Sequence, residues 1–207
     1  METIIGPMVI LKTENTKMGD YKRIYKRIDR PKIKLKPNQV VAKYCKVKDY
    51  KLSNLKRNEK FRAGVIPYTI CDGMVYFAFG VDALTGDLTD FGGGVMKTDG
   101  GEINGGIREF REESLGTFEP ICNNDLIDHY IIHTNKMIIL LVYYNVNPLY
   151  IRNKFRKKLL NTDTPEVTDI VWMTKDEILD SIRGKGRVIY SRVRSLLTDS
   201  QNLWSRF

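Results

Sequence analysis

The sequence predicts an α/β fold in which a mixed β-sheet lies between helices. Apolar segments of strand length recur along the chain, at 63–70, 74–81, 128–133, 137–146 and 165–172. A helical pattern follows the third predicted strand, which leads into Gly92, and another begins at about Val188. Strands that alternate with helices in this way pack as a sheet with helices against its faces.

The composition is that of a globular protein with one sizeable core. Of its 207 residues 42% are hydrophobic and 29% are charged. The longest strongly apolar run, 137–144, is far shorter than the ~20 residues of a membrane helix, so no membrane association is expected. The three cysteines form no paired spacing, which favours a reduced intracellular protein, cytoplasmic with a nuclear location left open.

The net charge of +9 is distributed unevenly along the chain. Residues 1–62 carry +12, residues 63–150 carry −8 and residues 151–207 carry +5. This arrangement predicts that the basic ends contact a polyanion and that the acidic centre binds a cation.

Residues 1–60 are predicted to form a basic N-terminal extension or small subdomain before a catalytic domain at 61–207. Helical spacing at 21–28 and strand-like alternation at 32–36 and 40–47 lie within this extension. One interpretation is RNA contact through the basic residues of 22–60 and 152–158, because Lys and Arg release counterions from phosphates. The alternative is a solvated, Lys-rich extension that docks on the core, and the sequence leaves both open.

A glycine loop followed by a Glu-rich helix is the most informative stretch. Three consecutive glycines, 92–94, predict that the backbone closely approaches a group that a side chain would block. Glu109, Glu112 and Glu113 fall at i, i+3 and i+4 and share one helical face. Like charges so placed need a positive partner, and carboxylate oxygens suit Mg²⁺ or Mn²⁺. Two flanking arginines can hold the carboxylates in place, Arg108 and Arg111.

This stretch resembles the Nudix box, the signature of the Nudix hydrolase family. Gly94 and Arg108 have the separation of the box, and the run from Arg108 to Glu113 fits its Arg-Glu-apolar-any-Glu-Glu core without a gap. The resemblance covers about residues 61–205, and its specific part is the box alone.

Two positions depart from the box. Gly100 occupies the slot of the first Glu, with Glu102 two residues further on. In the family that Glu mainly holds the box Arg in place. The departure therefore affects the support of this Arg more than it affects the metal site. The closing glycine is one residue late, because Leu115 occupies its slot and Gly116 follows.

The resemblance implies a Nudix-type α/β/α sandwich with a mixed β-sheet. It also implies a Mg²⁺- or Mn²⁺-dependent pyrophosphohydrolase that cleaves a nucleoside diphosphate linked to another moiety. The leading substrate hypothesis is the 5′ cap of RNA, because a free nucleotide does not require such basic flanks. The alternatives are hydrolysis of free nucleotides, ADP-ribose or nucleotide sugars, and a non-catalytic module that binds nucleotide or RNA.

The resemblance also assigns roles to individual residues. Glu112 and Glu113 are expected to hold the metal, together with the backbone carbonyl of Gly93. Glu109 is either another ligand or the group that takes the proton from water, with Arg108 orienting it. Many family members place a further acid on a later loop, and Glu166 is the candidate here, with Asp163 as its alternative.

Overall fold

The computed structural model describes residues 41–51 and 60–207, which form one mixed sheet and its covering helices. The helix predicted at 21–28 and the strand predicted at 32–36 lie outside the described residues. The strands are β1 Lys43–Lys46, β2 Arg62–Cys71, β3 Met74–Asp82, β4 Leu88–Thr89, β5 Phe91–Gly94, β6 Tyr130–His133, β7 Met137–Tyr143 and β8 Val167–Thr174. The α-helices are α1 Glu102–Glu113, α2 Pro148–Leu159, α3 Lys175–Ile182 and α4 Ser191–Asp199. In this part of the chain no helix is long and apolar enough to cross a membrane.

The sheet is mixed, as the sequence predicts. Its order is β1-β6-β7-β2-β3-β4, with β5 paired to β2 and β8 paired to β3. The β2–β7 pair is parallel, whereas the other strand pairs among the described residues are antiparallel. β1 pairs with β6 at the edge of the sheet.

Helices cover both faces of this sheet, so the predicted α/β/α sandwich is confirmed. Strand β7 shows the alternation: Ile138 and Leu140 belong to one buried cluster, and Ile139 and Leu141 belong to the other. The first cluster includes side chains of α1 and α2, Phe110, Ile151 and Phe155. The second includes side chains of α3 and α4, Ile178, Ile182, Val193, Leu196 and Leu197.

Strand β2 changes partner along its length, and this change positions the glycine loop. Its first residues, 62–65, pair with β5, and its last residues, 68–71, pair with β3. The three glycines of the loop therefore lie directly beside residues 62–64, at the end of the sheet that α1 covers.

The basic segment after Pro148 is helix α2, which was not predicted from the sequence. Asn147 caps it by accepting a hydrogen bond from the Tyr150 N–H at 3.0 Å, and Pro148 occupies the first turn. An Asn-Pro pair at a helix start is a recognisable signal, because Pro lacks only an N–H that would be unpaired there. Arg152 and Arg156 of α2 both pair with Asp169 of β8, at 2.6 and 2.9 Å.

The last helix begins later than the sequence predicts. Residues 188–190 do not start a helix, because the backbones of Val188 and Tyr190 hydrogen-bond to Leu88 of β4. The helix starts at Ser191. By contrast, the capping box predicted at Thr174 and Glu177 is confirmed at the start of α3.

We predict that the Asp169→Asn substitution lowers the free energy of unfolding by about 1–3 kcal/mol at pH 7, since it removes charge-assisted hydrogen bonds. Burial raises the pKa of Asp169, but hydrogen bonds from Arg152 and Arg156 lower it by more, so the pKa lies below its ordinary value. The contribution is therefore complete above the pKa of an unfolded Asp, about 3.9, and is lost as the pH falls through the native pKa.

Urea unfolding of wild type and variant across this pH range measures the difference. The control is Asp180→Asn, which removes an exposed pair with Arg183 at 3.7 Å and should cost well under about 1 kcal/mol. A difference for Asp169 that persists undiminished at the lowest pH would contradict the assignment.

Candidate active site

The glycine loop lies against α1 and against β2, and two of its glycines have no room for a side chain. A Cβ built on Gly93 would lie 2.5 Å from the carboxylate carbon of Glu109. One built on Gly92 would lie 2.5 Å from the Cα of Gly64. The predicted close approach of the backbone is thus present at both positions, and at Gly93 the approaching group is a carboxylate of the box.

Arg108 is the cation around which the acidic side chains gather. Its guanidinium pairs with Asp99 at 2.8 Å and with Glu109 and Glu112 at 2.9 Å each. It also donates a hydrogen bond to the carbonyl oxygen of Gly94 at 2.9 Å, which ties the helix to the loop. Asp99 and Glu109 raise the pKa of Arg108, so it remains charged.

Asp99 braces Arg108, and this role was missed in the sequence. It stands one residue before Gly100, the box slot that lacks its acid, and its two carboxylate oxygens accept hydrogen bonds from Arg108 at 2.8 and 3.2 Å. A hydrogen bond from Arg108 lowers the pKa of Asp99 below its ordinary value. Gly105 makes room for it, since a Cβ there would lie 2.9 Å from the Asp99 carboxylate. The only signal in the sequence was an Asp next to the empty slot.

The two glycines within α1 have different causes. Gly105 accommodates Asp99, whereas Gly106 packs against β2: a Cβ on Gly106 would lie 3.3 Å from the Ala63 Cβ and from the Gly64 nitrogen. Close packing of the helix on the sheet therefore explains one of the pair, and the carboxylate brace explains the other.

Glu113 is partly buried against the glycine loop. It accepts a hydrogen bond from the Gly92 N–H at 2.7 Å. Burial and the nearby charge of Asp90 raise the pKa of Glu113 to about 8, although the Gly92 hydrogen bond and Arg62 act in the opposite direction. Burial likewise raises the pKa of Glu109, which is 12% exposed, despite its pair with Arg108.

A buried ion pair lies behind Glu113. The Arg62 guanidinium donates to both carboxylate oxygens of Asp90, at 2.7 and 2.5 Å, and to the carbonyl oxygen of Gly92 at 2.6 Å. Asp90 is fully buried and the Arg62 side chain is 15% exposed. Sequence reasoning gave neither residue a role, because the pairing of β2 with β5 brings them together.

Four glutamates line one small cavity of about 200 Å³, namely Glu109, Glu112, Glu113 and Glu166. Glu166 comes from the loop before β8, so the structure places this sequence candidate beside the box carboxylates. Asp163, its alternative, is exposed and is not among the residues that line the cavity. Among residues 41–51 and 60–207, no three Asp, Glu, His or Cys side chains converge as a preformed metal-binding group.

The donor set of this cavity nevertheless fits a hard divalent cation. Its charged groups are carboxylates, and Glu112 and Glu166 add to the charge repulsion that raises the pKa of Glu109. Glu112 is 59% exposed, so it can turn from Arg108 toward a cation at little cost. Carboxylate oxygens with excess negative charge are the environment that Mg²⁺ and Mn²⁺ favour.

The end of α1 accounts for the second departure from the box. The helix ends at Glu113, and Leu115 and Gly116 both have left-handed backbones, with φ of 53° and 55°. Leu115 thus adopts, at some strain, the conformation that a glycine in its slot adopts freely. Lys158 of α2 supports this turn by donating to the carbonyl oxygens of Leu115 and Gly116 at 2.8 and 2.6 Å.

Arg111 does not join the carboxylate cluster. It is exposed and lines a larger groove, which it shares with Arg108 and Glu112, but it makes no ion pair there among the contacts of the described residues. Of the two arginines that the sequence offered as holding the carboxylates, the structure assigns Arg108.

Comparisons with known proteins returned solved structures. No family model and no curated protein matches the chain. A binary complex of Caenorhabditis elegans Ap4A hydrolase aligns at 18% identity over 72% of this chain and 99% of its own, with a TM-score of 0.43. The Nudix domain of Shewanella oneidensis NrtR with ADP-ribose aligns at 11% identity over 75% and 94%, with a TM-score of 0.44. A mutT/nudix family protein from Listeria innocua aligns at 12% identity over 73% and 97%, with a TM-score of 0.41.

The identity of the fold rests on the chain's own residues. The box residues lie on one loop and one helix, Arg108 joins that helix to the loop at Gly94, and the mixed sheet lies between two helix layers. In the residues that the structure describes, this chain is an α/β/α sandwich that carries a motif resembling the Nudix box.

Proposed function

We propose that this protein is a hydrolase of phosphoric anhydride bonds that depends on Mg²⁺ or Mn²⁺. Its substrate class is a nucleoside diphosphate linked to another moiety. The observation that carries the proposal is the cavity lined by Glu109, Glu112, Glu113 and Glu166, adjoining the glycine loop. Titratable groups in a cleft whose pKa values are shifted by burial and by neighbouring charges are candidates for a functional site.

Glu112 and Glu113 are proposed to hold the cation, together with the backbone carbonyl of Gly93. The Gly93 carbonyl is a suitable ligand because the backbone of Gly93 lies against the Glu109 carboxylate, one of the carboxylates that line the cavity. The cation, when bound, supplies neutralisation of the negative charge on the phosphoryl oxygens.

The remaining residues orient the reacting groups. Arg108 holds Glu109 and Glu112 at 2.9 Å each and is itself held by Asp99. Glu109 either adds a ligand or accepts the proton of the attacking water, and burial raises its pKa, which makes it a stronger base than an exposed Glu. Glu166, an exposed residue that lines the same cavity, is the proposed further acid.

The 5′ end of capped RNA is the substrate that we propose first. The support is electrostatic: residues 1–62 carry +12, which a small nucleotide does not require. Most of that charge lies outside the described residues.

Free nucleotides, ADP-ribose or nucleotide sugars are the second candidate, and one observation favours them. Three of the five basic residues at 152–158 have partners within the fold, since Arg152 and Arg156 pair with Asp169 and Lys158 binds the end of α1. These side chains stabilise the domain and are less available to phosphates.

We expect Glu113→Gln to reduce turnover at least about 100-fold, a typical loss when a catalytic charge is removed. Gln has the shape of a protonated Glu, so the variant should fold and keep the hydrogen bond from Gly92. Steady-state hydrolysis with Mg²⁺ and with Mn²⁺ measures the effect, and Glu119→Gln, an exposed change outside the cavity, is the control. Turnover near that of wild type in Glu113→Gln would refute the metal assignment.

Replacing Asp99 by Asn should lower turnover by roughly 10–100-fold, the usual effect of losing a group that orients an active-site residue. The amide keeps the size of the carboxylate but removes the charge that holds Arg108. The same assays apply, with the exposed Asp180→Asn change as control. Wild-type activity in Asp99→Asn would show that Arg108 needs no brace.

Salt dependence separates the two substrate classes. Binding through several phosphates weakens by orders of magnitude between about 50 and 200 mM salt, whereas binding of a small nucleotide weakens mildly. The assay follows KM for capped RNA, a free cap dinucleotide, ADP-ribose and nucleoside triphosphates across this range. Hydrolysis of capped RNA with a steep rise in KM supports decapping; turnover of the free nucleotides alone excludes it in favour of the second candidate.

A further inference from the structure

The buried pair of Arg62 and Asp90 is not used by the chemistry above. Asp90 is fully buried, and its carboxylate occupies space that side chains at Gly64 and Gly92 would fill: Cβ atoms there would lie 2.1 and 2.7 Å from its Oδ2. Two glycine positions in adjacent strands therefore accommodate this one carboxylate.

A single peptide group connects this pair to the cavity. The carbonyl oxygen of Gly92 accepts a hydrogen bond from Arg62 at 2.6 Å, and the N–H of the same residue donates to Glu113 at 2.7 Å. Arg62 is in turn fixed by two hydrogen bonds to Asp90. The continuous chain of contacts thus runs from Asp90 through Arg62 and Gly92 to Glu113.

We propose that Arg62 and Asp90 are positioning residues that fix the Gly92 peptide and thereby hold the Glu113 carboxylate in its cation-binding orientation. The inference rests on the proposed function, because it concerns the same cation site. Stability alone is a weak reason for the pair, since replacing a buried ion pair by apolar residues is often neutral or stabilising. The pair does fix the Gly92 peptide, because Arg62 donates a hydrogen bond to its carbonyl oxygen and an apolar side chain could not.

Arg62→Lys isolates this role. Lys keeps the positive charge beside Asp90, but it lacks the planar fork that bonds the carboxylate and the Gly92 carbonyl at once. The matched control is Arg152→Lys, which alters another Arg–Asp pair, with Asp169; neither residue of that pair lines the cavity. Both variants are made in the full chain, and circular dichroism and thermal melting confirm that they fold.

The test is Mn²⁺ binding to the metal-free proteins, measured by isothermal titration calorimetry. We expect at least tenfold weaker binding in Arg62→Lys, the range typical for loss of a group that orients a metal ligand, and binding within about twofold of wild type in Arg152→Lys. In hydrolysis assays, Arg62→Lys should need more Mn²⁺ for half-maximal activity and should recover most of kcat at saturating Mn²⁺. A defect of folding would not produce that separation.

Three results would overturn the inference in distinguishable ways. A folded Arg62→Lys variant that binds Mn²⁺ as tightly as wild type rejects the positioning role and leaves the proposed function intact. Equal weakening in Arg152→Lys assigns the effect to general stability. Wild type that binds no Mn²⁺ rejects the cation site itself. If Arg62→Lys does not fold, Asp90→Asn replaces it, with the same tenfold expectation.

Discussion

The candidate site of this protein depends on contacts between carboxylates and the backbone of glycine residues. Glu109 lies over the Cα of Gly93, and Glu113 accepts a hydrogen bond from Gly92. Such contacts require glycine, since any Cβ at Gly93 would collide with Glu109. They are also electrostatically unfavourable without a cation, because burial raises the pKa of both glutamates. The divalent cation proposed above would offset this cost.

The architecture of the sheet makes that contact possible. The first residues of β2 pair with β5 and its last residues pair with β3. The glycine loop, which is part of β5, therefore lies at the end of the sheet that α1 covers. Two arginines then fix the loop from opposite directions. Arg108 of the helix binds the carbonyl of Gly94, and Arg62 of β2 binds the carbonyl of Gly92. These two contacts hold the loop, the helix and the sheet together.

Charge in this protein has structural as well as functional uses. The basic residues of α2 suggest, from sequence, a surface that binds phosphate. In the structure, however, Arg152 and Arg156 both bind Asp169, and Lys158 caps the end of α1. Sequence reasoning counts such charges but does not see their partners, because Asp169 belongs to β8 and is distant in the chain. Only basic side chains that have no partner within the protein are fully available to bind a polyanionic substrate.

The sequence by itself determined the strands other than β4, the capping box of α3 and the carboxylate face of α1, because each follows from a local period or a short motif. It also determined the need for glycine before that helix. Tertiary structure alone decided that Asp99 replaces the missing box acid and that Arg62 meets Asp90. It likewise decided that residues 188–190 pair with β4 in place of forming a helix. These features depend on contacts between segments far apart in the chain, and local spacing carries no information about which distant segments will pair.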